Sequence, residues 1–131
     1  MTLSKGEKER QAVFQLSHKD RYGLFVKEVI QTELAWGLFS ETGWCLAQTD
    51  NDARALALWP NDDYAQACAE GTWSDASPQE IPLSKLLNEL LPALAQDNMV
   101  VVVFPAVEGD GIVATPKELY QQIKKTQMTA K

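Results

Sequence analysis

Met99-Val100-Val101-Val102-Val103-Phe104 is an uninterrupted apolar run, mostly β-branched. Branching at Cβ favours the extended chain, and a run without polar alternation marks a strand covered on both faces. Pro105 closes it, because proline has no N–H to give to a ladder. Such a strand needs cover on two sides, and the neighbouring segments can supply it. Leu83, Leu86, Leu87, Leu90, Leu91 and Leu94 follow the helical period, with Pro92 expected to kink or split that helix. Ile112-Val113-Ala114 reads as a hairpin partner across Glu108-Gly109-Asp110-Gly111. Thr115-Pro116-Lys117-Glu118 is a capping box with proline at the first helical position. Its helix carries Leu119, Tyr120 and Ile123 and ends in Lys124-Lys125.

The first half has the same kind of punctuation. Ala12, Val13 and Leu16 suggest one apolar stripe on a short first helix. Ser17 is placed as an N-cap, with Asp20 three residues on. Tyr22, Phe25, Val26, Val29 and Ile30 then recur at helical spacing. Strand-like segments 34–39 and 44–47 flank Glu41-Thr42-Gly43, a hairpin turn in which Gly43 is free to take positive φ. Thr49-Asp50-Asn51-Asp52 is a second turn, and Arg54 to Trp59 is apolar on both faces, as a central strand is. Pro60 ends it, and Asn61 is a good cap for a helix opening with Asp62 and Asp63. Tyr64, Ala65 and Cys68 form its inward face, and Gly71 its left-handed end. Residues 73–81 read as a connector with a short strand near Ile81.

Hairpins therefore mix with helical crossovers. The expected fold is α/β in the α+β sense: a mixed, mostly antiparallel sheet of five or six strands packed with four or five helices, in two or three layers. The 131 residues are expected to form one domain, with residues 1–10 and 126–131 frayed.

Composition narrows the function classes. The formal net charge is -6, and an acidic surface repels phosphate, so neither nucleic acid nor an anionic membrane is an expected partner. Cys45 and Cys68 stand far apart and form no CxxC pair. The start, residues 2–10, is charged, and no apolar run approaches the roughly 20 residues that span a bilayer. The expected location is the cytoplasm, with both thiols free.

The residues that could carry catalysis each have a simpler place in the fold. His18 is the single histidine, so a histidine-rich zinc site is out of reach and a Ser-His-Asp triad would have to use a helix-start residue. Asp50-Asn51-Asp52 lacks the alternating oxygens, central glycine and distant glutamate of a calcium loop. Asp62 and Asp63 are explained by their place at a helix N-terminus, and Cys68 by the inward face of the same helix. Cys45 has no cation near it in sequence to activate a thiol. Gly109-Asp110-Gly111 is too short for a phosphate loop. No catalytic residue, metal ligand or cofactor is expected.

The aromatic set is the open signal. Trp36, Trp44, Trp59 and Trp73 are many tryptophans for this length. Buried, they stabilise a core; exposed, they anchor partners. Trp59 and Trp73 bracket a helix whose other apolar residues are small, apart from Tyr64. Arg21 and Arg54 are the cations expected nearest to aromatics or carboxylates.

With these residues in view, the chain resembles a bacterial family of small proteins catalogued as domain of unknown function 2750. The resemblance rests on Arg21-Tyr22 with Phe25, Trp36-Gly37-Leu38, Gly43-Trp44, Trp59-Pro60 with Tyr64-Ala65 and Cys68, Trp73, Ile81-Pro82-Leu83 and Val103-Phe104-Pro105. It implies a fold and no activity. A weaker, fold-level similarity is to the N-terminal domain of secretion-enhancer proteins of the SseB type, which transfers no function.

The leading expectation is a small non-catalytic protein-interaction module, with a binding groove drawn from Trp36, Trp59, Tyr64, Trp73, Arg21 and Arg54. One alternative is a small-molecule-binding protein or hydrolase using Asp62, Asp63 or Cys68 in a cleft at the strand end. Another is a homodimer that pairs a sheet edge or the leucine helix.

Overall fold

The structure, a computed structural model, describes residues 16–41, 43–48, 53–69, 73–105 and 111–129. The stripe at Ala12 and Val13, the turn at 49–52, the cap at Gly71 and the tip of the last hairpin lie outside them.

Helix α1 (His18–Thr32) begins where Ser17 Oγ accepts from the Asp20 N–H at 3.1 Å. It buries Phe25, Val26 and Val29. It ends at Glu33, whose φ of 61° is left-handed and whose N–H closes on the Val29 carbonyl at 2.8 Å. Strand β1 (Leu34–Ser40) follows directly and turns back into β2 (Gly43–Trp44), with Gly43 at φ 116° as the turn requires. Cys45 N–H still bonds the Leu38 carbonyl at 2.8 Å. Beyond it β3 (Leu46–Gln48) leaves β1 and pairs with β4 (Arg54–Leu58).

Helix α2 (Asp62–Ala67) is capped by Asn61, whose side-chain oxygen accepts from the Tyr64 N–H at 3.2 Å. Strand β5 (Ser77–Pro82) runs antiparallel to β1 over six residue pairs. Helix α3 has three parts: Leu83–Lys85, a wide π-helical turn Leu86–Leu90, and Leu91–Gln96. The wide turn, in which Leu91 N–H bonds the Leu86 carbonyl, answers Pro92. Proline offers no N–H to the Asn88 carbonyl and crowds it, so the mismatch is absorbed one turn earlier without breaking the helix. Leu83, Leu86, Leu87, Leu91 and Leu94 are buried. Strand β6 (Val100–Val103) pairs parallel with β4 and antiparallel with β7 (Ile112–Ala114).

Helix α4 (Pro116–Thr129) has the reciprocal capping box: Thr115 N–H donates to Glu118 Oε1 at 3.0 Å, and Glu118 N–H donates to Thr115 Oγ1 at 3.1 Å. The bonds from the Thr115 backbone, and then from its side chain, hold the Glu118 carboxyl below the ordinary glutamate range. The helix runs to Thr129, so residues 126–129, expected to be frayed, are helical. There the Thr126 and Thr129 hydroxyls bond back to the Gln122 and Lys125 carbonyls.

These elements make an α+β fold with two sheets, ordered β2-β1-β5 and β3-β4-β6-β7. Seven strands stand where five or six were expected. Cys45 splits one hairpin arm into two strands, and the connector at 77–82 is a full strand rather than a short one. Four helices lie among the described residues. Helix α1 packs on α4, β6 and β7, α4 packs on the far end of α3, and α2 lies against β1 and β5.

The two sheets meet at one bridge. Trp36 N–H donates to the Trp59 carbonyl at 2.9 Å, and Trp59 N–H donates to the Trp36 carbonyl at 2.8 Å. This sets the parity of β1: Trp36 and Leu38 turn their backbone groups towards β2 and β4, and Ala35, Gly37 and Phe39 turn theirs towards β5. On β5 the outward positions are then Pro78, Glu80 and Pro82. Two of these three have no N–H, so the outer edge is blunted against a further strand.

Two glycines test the packing in opposite directions. A Cβ on Gly111 would run into the Val103 carbonyl oxygen and meet Pro105 N at 3.0 Å, whereas Gly23 on α1 has nothing within 4 Å. Gly111→Ala is expected to cost about 1–3 kcal/mol. Gly23→Ala is expected to stabilise by up to about 1 kcal/mol. Urea denaturation of the two variants checks the pair.

Candidate functional site

The residues expected to form an aromatic groove divide between core and surface. Trp59 is fully buried and Tyr64 is 7% exposed, so neither lines a groove. The reason is local: Trp59 continues the doubly covered strand β4, and Tyr64 follows the cap that turns α2 onto the sheet. Trp59 Nε1–H donates to the Pro105 carbonyl at 3.1 Å, which satisfies the one polar atom of the indole. Cys68 Sγ–H donates to the same carbonyl at 3.5 Å. The Tyr64 ring tilts against Phe104, centroids 4.8 Å apart. Trp73, half-buried, meets Trp59 edge to face at 6.2 Å.

Phe104 completes this cluster in an unusual backbone state. Its φ is 54°, left-handed for a bulky residue, while its N–H bonds the Leu58 carbonyl at 2.8 Å. The residue before a proline ordinarily extends, so nothing in Phe104-Pro105 announces this bend. Its effect is to swing the Pro105 carbonyl to where the Trp59 indole and the Cys68 thiol reach it.

Arg21 belongs to the same region. It is only 2% exposed, and burial lowers its pKa from the ordinary arginine value, with the neighbouring Cys68 acting in the opposite sense. Trp36, half-buried, stands across the bridge from Trp59. Arg54 is exposed at the opposite end of β4 and is not part of the cluster. The structure thus brings Arg21, Trp59, Tyr64 and Trp73 together with Cys68, as a packed node. Asp62 and Asp63 lie on the exposed first turn of α2, and Cys68 is buried beyond its last turn. The three therefore share no cleft. Burial also raises the pKa of the Cys45 thiol, which keeps it protonated and unreactive.

The exposed aromatic surface lies elsewhere, on residues left out of the expected site. Phe39 is 42% exposed, and its ring meets Trp44 edge to face at 5.1 Å. The two are direct partners across the β1–β2 hairpin. Theirs is a non-hydrogen-bonded pair, in which side chains approach most closely. Trp44 also lies over Gly37, where an added Cβ would fall 2.9 Å from its ring. Beside the pair is a depression of about 220 Å³ lined by Gln79, Glu80, Ile81, Lys85 and Leu90. The signal was present in the sequence, since a tight hairpin that pairs Ser40 with Gly43 sets position 39 opposite position 44. A second apolar cleft, of about 180 Å³, lies between α3 and α4 beside Pro92, Pro116 and Tyr120.

Two substitutions separate the buried cluster from its margin. Trp59→Phe removes the donor to Pro105 and leaves a void, at an expected cost of about 2–4 kcal/mol. Trp36→Phe, at a half-buried ring, is expected to cost about 1 kcal/mol or less. Equal losses in urea unfolding would contradict this placement.

Among the described residues, no helix is long and apolar enough to cross a membrane, and no three of His, Cys, Asp or Glu gather as metal ligands do. No curated protein matches the chain. A family model described as "Protein of unknown function (DUF2750)" matches residues 22–123, from the first turns of α1 through most of α4, and the chain belongs to that family.

Proposed function

We propose that this protein is a non-catalytic interaction module of the cytoplasm that holds a partner protein against its Phe39–Trp44 face. One observation carries the reading: a phenylalanine left 42% exposed on a regular strand, set edge to face against a tryptophan and bordered by a depression. Large rings on rigid backbone, beside a pocket, are what anchor protein interfaces. Phe39 and Trp44 are held by a hairpin and by the Gly37 notch, so little ordering is lost when a partner docks. The buried Arg21–Trp59–Cys68 cluster then supports the scaffold instead of contacting the partner. Cys45 and Cys68 are buried thiols not joined in a disulfide, which supports a reducing compartment.

Phe39→Ser tests this at the surface, where the fold tolerates the change. Affinity capture from a lysate of the source organism is expected to give a specific protein with the wild type. The variant, folded by circular dichroism, is expected to lose it at least about tenfold. Equal capture by both forms, or no specific partner for the wild type, would refute the reading.

A further inference from the structure

The chain's charge is not spread evenly. Residues 33–97 hold eleven carboxylates against two cations, Arg54 and Lys85, and the rest of the chain holds seven carboxylates against ten cations. The acidic part contains all three strands of the β2-β1-β5 sheet, together with α2 and α3. It therefore carries the whole Phe39–Trp44 face. Glu41 follows β1 at the hairpin turn and Glu89 precedes the lining Leu90, whereas Glu80, at the rim of the depression, stands opposite Trp36 and turns its side chain to the other face of the sheet. Glu41 and Glu89 are exposed, and among the described residues Lys85 is the one cation lining the depression.

We propose that the occupant of this face is a basic peptide segment of a partner protein, with an apolar side chain seated beside Phe39 and Trp44 and lysines or arginines facing Glu41 and Glu89. The proposal rests on the interaction reading above and adds the partner's chemistry. An aromatic floor within an acidic field suits cations twice, through the carboxylates and through the faces of the rings. A second copy of this chain would bring the same acidic half against itself, and such like-charge contact is unfavourable. The Pro78 and Pro82 positions turn the peptide away from strand addition at the β5 edge and towards the side-chain face.

The test uses the full chain and three synthetic peptides of equal length. Each has a central leucine, flanked by lysine and arginine, by glycine and serine, or by aspartate and glutamate. Amide and indole shifts of the ¹⁵N-labelled protein are followed by NMR. The basic peptide is expected to move the Trp44 indole and the Phe39 and Leu90 amides. It should bind roughly tenfold more tightly than the neutral one at low salt, and the advantage should shrink as salt is raised. Glu89→Lys should weaken the basic peptide roughly 3- to 10-fold, and Phe39→Ser should abolish its shifts. Equal or tighter binding of the neutral or acidic peptide at these residues would overturn the basic partner and leave the interaction reading standing. Shifts that grow with protein concentration alone would assign the face to a second copy. No peptide-induced shift at Trp44, Phe39 or Leu90 would overturn both.

Discussion

The two backbone hydrogen bonds between Trp36 and Trp59 join the halves of this molecule. Among the described residues they are the backbone pairing between the three-stranded and the four-stranded sheet, which otherwise share a packed core and the chain segments that cross between them. Each bond adds only about 1 kcal/mol net, but a buried donor or acceptor left without a partner costs about 1–3 kcal/mol. The bridge is therefore specified by the penalty of leaving it open. Trp59 sits at the convergence of three constraints: its backbone pairs with β1, its indole N–H with the Pro105 carbonyl, and its ring with Trp73. Pro60 follows at once and prevents the ladder from continuing.

That junction decides which aromatics remain for function. Trp59 and Tyr64 are spent on tying β4, α2 and the end of β6 together, and the left-handed Phe104 is held in place between them. Bending a bulky residue into that region costs of order 1–3 kcal/mol, which the Leu58 hydrogen bond and the Tyr64 contact help to offset. The Phe39–Trp44 pair has no such duty. It lies on the other side of the bridge parity, on the face that shares Gly37, where one missing Cβ leaves room for the indole. Scaffold and candidate surface are thus neighbours on one strand, separated by the alternation of β1. The leucine face of α3 is occupied by the core in the same way.

Local chemistry was legible in the sequence. Ser17, Asn61 and Thr115 cap helices where their spacing says they should, Gly43 takes positive φ, and the valine run is a strand between two others. Each of these is decided within a few residues by hydrogen bonding or sterics. The long-range pairings were not legible. Nothing near Trp36 indicates that Trp59 lies opposite, 23 positions on, and Trp-Pro reads equally well as a groove or as a core strand ending. The same limit placed β5 as a connector, because Ser77-Pro78-Gln79-Glu80 resembles a loop until β1 supplies its ladder. The family resemblance reached the right family and gave no activity, since its residues are largely those that build the bridge and the core around it.

Native-state hydrogen exchange at this junction tests the account most directly. The amides of Trp36, Trp59 and Phe104 and the indole N–H of Trp59 should exchange only through global unfolding, with opening free energies equal to the stability measured by denaturant. Exchange of these four protons at a free energy well below that value, while β4 and β6 remain protected, would mean that the two sheets separate independently. The Trp36–Trp59 bridge would then be an incidental contact rather than the tie that holds the fold.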